Sequence, residues 1–125
     1  MSRANAAVPY YSEGYIFTCH ANAAVTGKTF VEVAANAVDG RPAVGPAAAG
    51  NPALGVAGYD APQNAGVTVY RAPSVMPVTA GAAITAGQQV QADANGKAVP
   101  LSTGTALGIA LADAAANDDA KIALI

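Results

Sequence analysis

Leu54-Gly55-Val56-Ala57-Gly58-Tyr59-Asp60-Ala61 and Leu107-Gly108-Ile109-Ala110-Leu111-Ala112-Asp113-Ala114 are two versions of one block, 53 residues apart. The shared part is Leu-Gly-aliphatic-Ala, two free positions, then Asp-Ala. The order of parts around each block also agrees. A hairpin turn with a following basic residue comes first, Asp39-Gly40-Arg41 and Asn95-Gly96-Lys97. Asp-Gly and Asn-Gly favour the tight turns of β-hairpins, because both central residues take positive φ. An alternating strand comes last, Val67-Thr68-Val69 and Ile122-Ala123-Leu124. Two copies of one β unit, approximately 28–71 and 84–125, each have an apolar face that the other can cover. Gly55 and Gly108 are expected to mark a bulge or a close backbone approach.

The expected fold is all-β, a compact β-barrel or sandwich built from two similar β units. Strands are read at 16–18, 28–34, 54–59, 67–71, 75–78, 83–85, 88–92, 107–112 and 121–125. Val67-Thr68-Val69-Tyr70-Arg71 alternates most cleanly. In 28–34, Thr29, Val31 and Val33 share one face, and Lys28, Phe30, Glu32 and Ala34 the other. Pro46, Gly50 and Pro52 make the stretch around Ala47-Ala48-Ala49 a loop. Residues 1–15 read as an extended N-terminal arm ahead of a single domain, 16–125. Pro9-Tyr10-Tyr11-Ser12-Glu13-Gly14-Tyr15 packs three Tyr into a short polar stretch. Tyr buries well at interfaces, so Tyr10, Tyr11 and Tyr15 are candidate contacts to a partner; the alternative is an edge strand on the chain's own domain.

The 125 residues are 53% hydrophobic, much of it Ala, and only 11% charged, with a net charge of −2. An average soluble domain is about 25% charged. A surface so poor in charge suits contact with other chains. The six basic residues (Arg3, Lys28, Arg41, Arg71, Lys97, Lys121) are scattered. Nucleic-acid binding needs them clustered. Gly, Pro, Asn, Asp and Thr interrupt every apolar run before membrane-spanning length. No nucleic acid and no membrane are expected as partners. The N-terminus lacks the apolar run of a signal peptide, so synthesis in a cytoplasm is expected.

Chemistry is sparse. Cys19-His20 holds the only Cys and the only His. Neighbouring side chains in a strand point to opposite faces, so the two are badly placed to act together, and a zinc site needs more ligands. Asp60, Asp113, Asp118 and Asp119 fall in turns, where Asp bonds nearby backbone N–H groups. Asn117-Asp118-Asp119 has no EF-hand spacing. Thr79-Ala80-Gly81-Ala82-Ala83 lacks the ending of a phosphate-binding loop. Lys97 in a hairpin leaves a carrier domain as a remote alternative. No catalytic, cofactor or metal site is expected.

The C-terminal half carries a further pattern. Val78-Thr79-Ala80-Gly81-Ala82-Ala83-Ile84-Thr85-Ala86-Gly87 is followed by Val90, Asp93 and Gly96, then by Leu107 to Ala116 and a final Ile122-Ala123-Leu124. Over roughly residues 54–125 this resembles the small head decoration, or cement, proteins of tailed bacteriophages. The resemblance implies a structural virion protein on the outside of the assembled capsid, bridging major capsid subunits, often as a homotrimer at local threefold positions. On that reading the terminal strand, through Ile122 and Leu124, pairs across protomers by strand addition. The alternative is another virion or cell-surface module of fibre or surface-layer type.

Overall fold

The computed structural model describes residues 4–8 and 16–125. They form ten strands and, among the described residues, no helix. Five make the first unit: β1 (Ile16–Ala21), β2 (Phe30–Val38), β3 (Arg41–Pro46), β4 (Gly55–Ala57) and β5 (Gly66–Tyr70). They close into a small barrel in the order β1-β3-β2-β4-β5. The second unit holds β6 (Val75–Thr79), β7 (Gln89–Ala92), β8 (Ala98–Pro100), β9 (Gly108–Ala110) and β10 (Asp119–Leu124), ordered β6-β10-β9-β7-β8. A parallel bridge from Ala80 to Ala98 joins its two outer strands.

Every strand pairing in one unit has its counterpart in the other. His20 faces Gly66 as Thr79 faces Asp119. Val31 faces Gly55 as Val90 faces Gly108. Val33 faces Val44 as Ala92 faces Ala98. The parallel bridge of Ala21 to Val44 returns as Ala80 to Ala98. Loops agree too: Val25 and Ala61 exchange two backbone bonds, as do Ile84 and Ala114. The spacing between counterparts is 53 residues in β4 and β5 but 59 in β1 and early β2, as for Ala21 and Ala80. Most of the difference is an extension of the β2–β3 hairpin, where Val33 and Val44 stand further apart in sequence than Ala92 and Ala98. β2 is 9 residues long, whereas β7 has 4.

Alternation explains the burial. In β5, Val67 and Val69 are fully buried; in β10, Ala120 and Ile122 are, and Leu124 nearly so. Each fully buried Val or Ile contributes about 1.5–3 kcal/mol. One core fills the first barrel, with Cys19, Val25, Val31, Val44, Val67 and Val69. The other fills the second unit with Met76, Val78, Ile84, Val90, Leu107 and Ile122, and it also takes Phe30, Ala47 and Val56 from the first.

Several expected boundaries shift. The strand expected at 83–85 is a loop with one bridge at Ile84, the counterpart of Val25. Lys28 stands outside β2 because its φ is +62°. β3 and β8 were not expected as strands; Pro42, Pro46 and Pro100 sit at or beside strand ends, where a missing N–H is tolerated. Of the expected arm, residues 4–8 are held on the domain. Ala7 is buried and its N–H donates to the Gly58 carbonyl at 2.7 Å.

Candidate interaction surface

The chemistry-bearing residues serve the fold. Asp60 follows β4, and its Oδ1 accepts from the Gly27 N–H at 2.8 Å and from Asn5 Nδ2 at 2.8 Å. Its counterpart Asp113 accepts from the Ala86 N–H at 2.8 Å. Each repeat block therefore ends in a carboxylate that holds the loop entering the second strand of its unit. Asp60 also pins the N-terminal segment. Asp119 pairs with Lys28 Nζ at 3.0 Å across the two units; both groups are partly exposed, so the pair adds little to stability. Among the described residues no group of three or more His, Cys, Asp or Glu could hold a metal ion.

Cys19 and His20 separate as their strand geometry requires. Cys19 points into the first barrel and is fully buried, while His20 is half-buried. Burial pushes the Cys19 thiol from its ordinary 9.0 up to about 11. The thiolate is the nucleophile, so the folded protein is expected to resist iodoacetamide at pH 8 and to react stoichiometrically once unfolded; rapid labelling of the native state, seen by intact mass, would contradict the burial. Stability follows the same shift. Below pH 9 both folded and unfolded chains keep the proton. Between pH 9 and 11 only the unfolded chain loses it, so this thiol lowers stability by up to about 1.4 kcal/mol per pH unit.

The predicted interface residues divide. Tyr10, Tyr11 and Tyr15 lie outside the described residues. Ile122 and Leu124 are core residues, 0% and 7% exposed. Their strand is paired on both sides, with β6 and with β9. It has no free edge for a further strand, and this assigns the pair to the fold rather than to an interface. The reason is topological: the last strand in sequence is an inner strand of its sheet.

The uncovered surface lies elsewhere. Residues 33–40 of the β2–β3 hairpin are all exposed, Val33 at 58%. By alternation Val33 shares a face with the buried Thr29 and Val31, but it lies past the point where β4 leaves β2 at Val31. Beside it runs a groove of about 400 Å³, lined by Glu32, Val33, Asn51 to Leu54 and Arg71. Glu32 accepts from the Ala48 N–H at 2.8 Å, and Arg71 Nε donates to the Leu54 carbonyl at 3.0 Å, so both charges are engaged at the rim. Val33, Pro52, Ala53 and Leu54 supply the apolar part of the lining. The sequence held one signal for this site: the first copy of the repeat is longer than the second, between turn and block.

In fold, the chain is similar to the crystal structure of the N base of the head fibre protein gp8.5 in bacteriophage phi29, with a TM-score of 0.75 and 22% identity over 89% of this chain and 93% of that one. No curated protein matches. Residues 12–125 match the family model described as phage cement protein. Both β units lie inside that span, and the chain belongs to the phage cement protein family as a structural protein of a phage capsid.

Proposed function

We propose that the protein binds the outer surface of the assembled capsid and stabilises it by bridging neighbouring major capsid subunits, with its copies joined as homotrimers at local threefold positions. It is made in the host cytoplasm and acts by contact, without catalysis. The observation that carries the reading is the family match over both units. The low charge supports it: only 11% of residues are charged, and many identical contacts on a repeating shell give avidity without strong single sites. Ionisable groups at the open groove are already engaged by backbone partners.

The test is reconstitution. Capsids of the parent phage that lack the protein should take up the purified chain in a fixed stoichiometry. They should then retain their DNA to a higher temperature than bare capsids. Particles that bind none of it in a co-sedimentation assay, or bind it with no change in heat resistance, would remove the cement reading for this chain.

A further inference from the structure

The two units of the chain meet head to tail. The first presents Lys28, Phe30 and the loop 47–53; the second presents Thr79, Ala92 and Gly96. The Thr79 N–H donates to the Lys28 carbonyl at 2.8 Å, the Phe30 N–H to the Gly96 carbonyl at 2.7 Å, and the Gly50 N–H to the Ala92 carbonyl at 2.9 Å. In none of these three bonds is the donor the structural counterpart of its acceptor; only Gly50 and Gly104, which touch at the seam, are counterparts. A contact through unlike faces leaves one unused face on each participant. The second unit still carries an uncovered version of the first one's face, and the first an uncovered version of the second one's.

The exposed positions agree. Ala92 is fully buried in the second core and its carbonyl accepts from the Gly50 N–H; its counterpart Val33 is 58% exposed beside the groove. The loop that fills the position in the second unit has its own counterpart in residues 101–104. Gln91 Oε1 accepts from the Ser102 N–H at 2.8 Å, as Glu32 Oε1 accepts from the Ala48 N–H at 2.8 Å. Ser102 and Thr103 are exposed.

We propose that the second unit of one copy docks on the first unit of the next, with the loop 101–104 entering the groove beside Val33, so that copies join by repeating the contact made inside each chain. This rests on the self-association proposed above. The two contacts differ in strength. Gln89, exposed, stands where the internal contact has the buried Phe30; the contact between copies is therefore more polar and weaker, and is favoured where a shell holds copies side by side.

The experiment joins the two faces covalently. The double variant Val33→Cys, Ser102→Cys, oxidised in solution and on parent-phage capsids lacking the protein, should give disulfide-linked oligomers, while each single variant stays unlinked. Cys19 is buried and does not interfere. Val33→Arg, at an exposed position, should keep the melting temperature and weaken association between copies at least tenfold. Copies that associate without the 33–102 link, and that tolerate Val33→Arg, would overturn this face alone. Loss of capsid binding in Val33→Arg with association between copies intact would assign the groove to the shell instead. No association in solution or on capsids would overturn this inference and the trimer together.

Discussion

Gly108→Ala is expected to destabilise the protein by about 3 kcal/mol or more, and Gly55→Ala by a similar amount. The two glycines are counterparts in β9 and β4, and in both a neighbouring strand crosses where a side chain would sit. A Cβ at Gly108 would collide with Ile122 Cγ2 and lie 2.7 Å from the Ala123 carbonyl oxygen. A Cβ at Gly55 would collide with the Tyr70 carbonyl oxygen and lie 2.8 Å from Val69 Cγ1. The obstacles are backbone and fully buried core side chains, so neither site can give way cheaply in a close-packed interior. Gly45→Ala is the control. Its Cβ would meet only Ala34 Cβ at 3.5 Å, an ordinary contact; the change is expected to be neutral or slightly stabilising. Urea denaturation of the three variants measures the difference. Equal midpoints for Gly108→Ala and Gly45→Ala would mean that β9 and β10 do not approach as described.

That result bears on how far the fold is legible in the chain. The Leu-Gly-aliphatic-Ala blocks are strands because the glycine lets one backbone lie against another and the aliphatic residues alternate around it; both facts leave a mark in sequence. The same holds for Asp60 and Asp113, whose carboxylates hold equivalent loops. The first strands leave no such mark. Ile16-Phe17-Thr18-Cys19-His20-Ala21 and Val75-Met76-Pro77-Val78-Thr79-Ala80 occupy the same place in their units. They need only fit a barrel interior, and many apolar residues of suitable volume do that. Tertiary order is hidden for another reason. β10 ends the described chain yet lies between β6 and β9, so Ile122 and Leu124 looked available when their alternation in fact reports a core. Val33 was concealed in the opposite sense. It continues the buried face of Thr29 and Val31, and only the departure of β4 from β2 exposes it.

Phe30→Ala is expected to cost about 4 kcal/mol, a typical value for removing a buried aromatic, and to do more than lower the melting temperature. Phe30 is 1% exposed and belongs to the first unit by its strand, but it packs in the core of the second. Its N–H reaches across to the Gly96 carbonyl. The other bonds between units are few, and the Lys28–Asp119 pair is partly exposed. Removing the ring takes away the main apolar contribution of the first unit to the shared core, so the units are expected to lose cooperativity and unfold in two steps by calorimetry. Val31→Ala supplies the comparison. Val31 is just as buried, but its neighbours are all in the first barrel, and its loss should lower stability by about 2–3 kcal/mol without adding coupling defects at the seam. Phe30→Gln separates packing from folding, because Gln is the residue that the second unit carries at the equivalent exposed position, Gln89. A first unit that tolerates Gln at 30 as a barrel, yet no longer melts together with the second, is the expected outcome. A single transition in both Phe30 variants, shifted no further than that of Val31→Ala, would show that the seam is held by its backbone bonds and not by this ring.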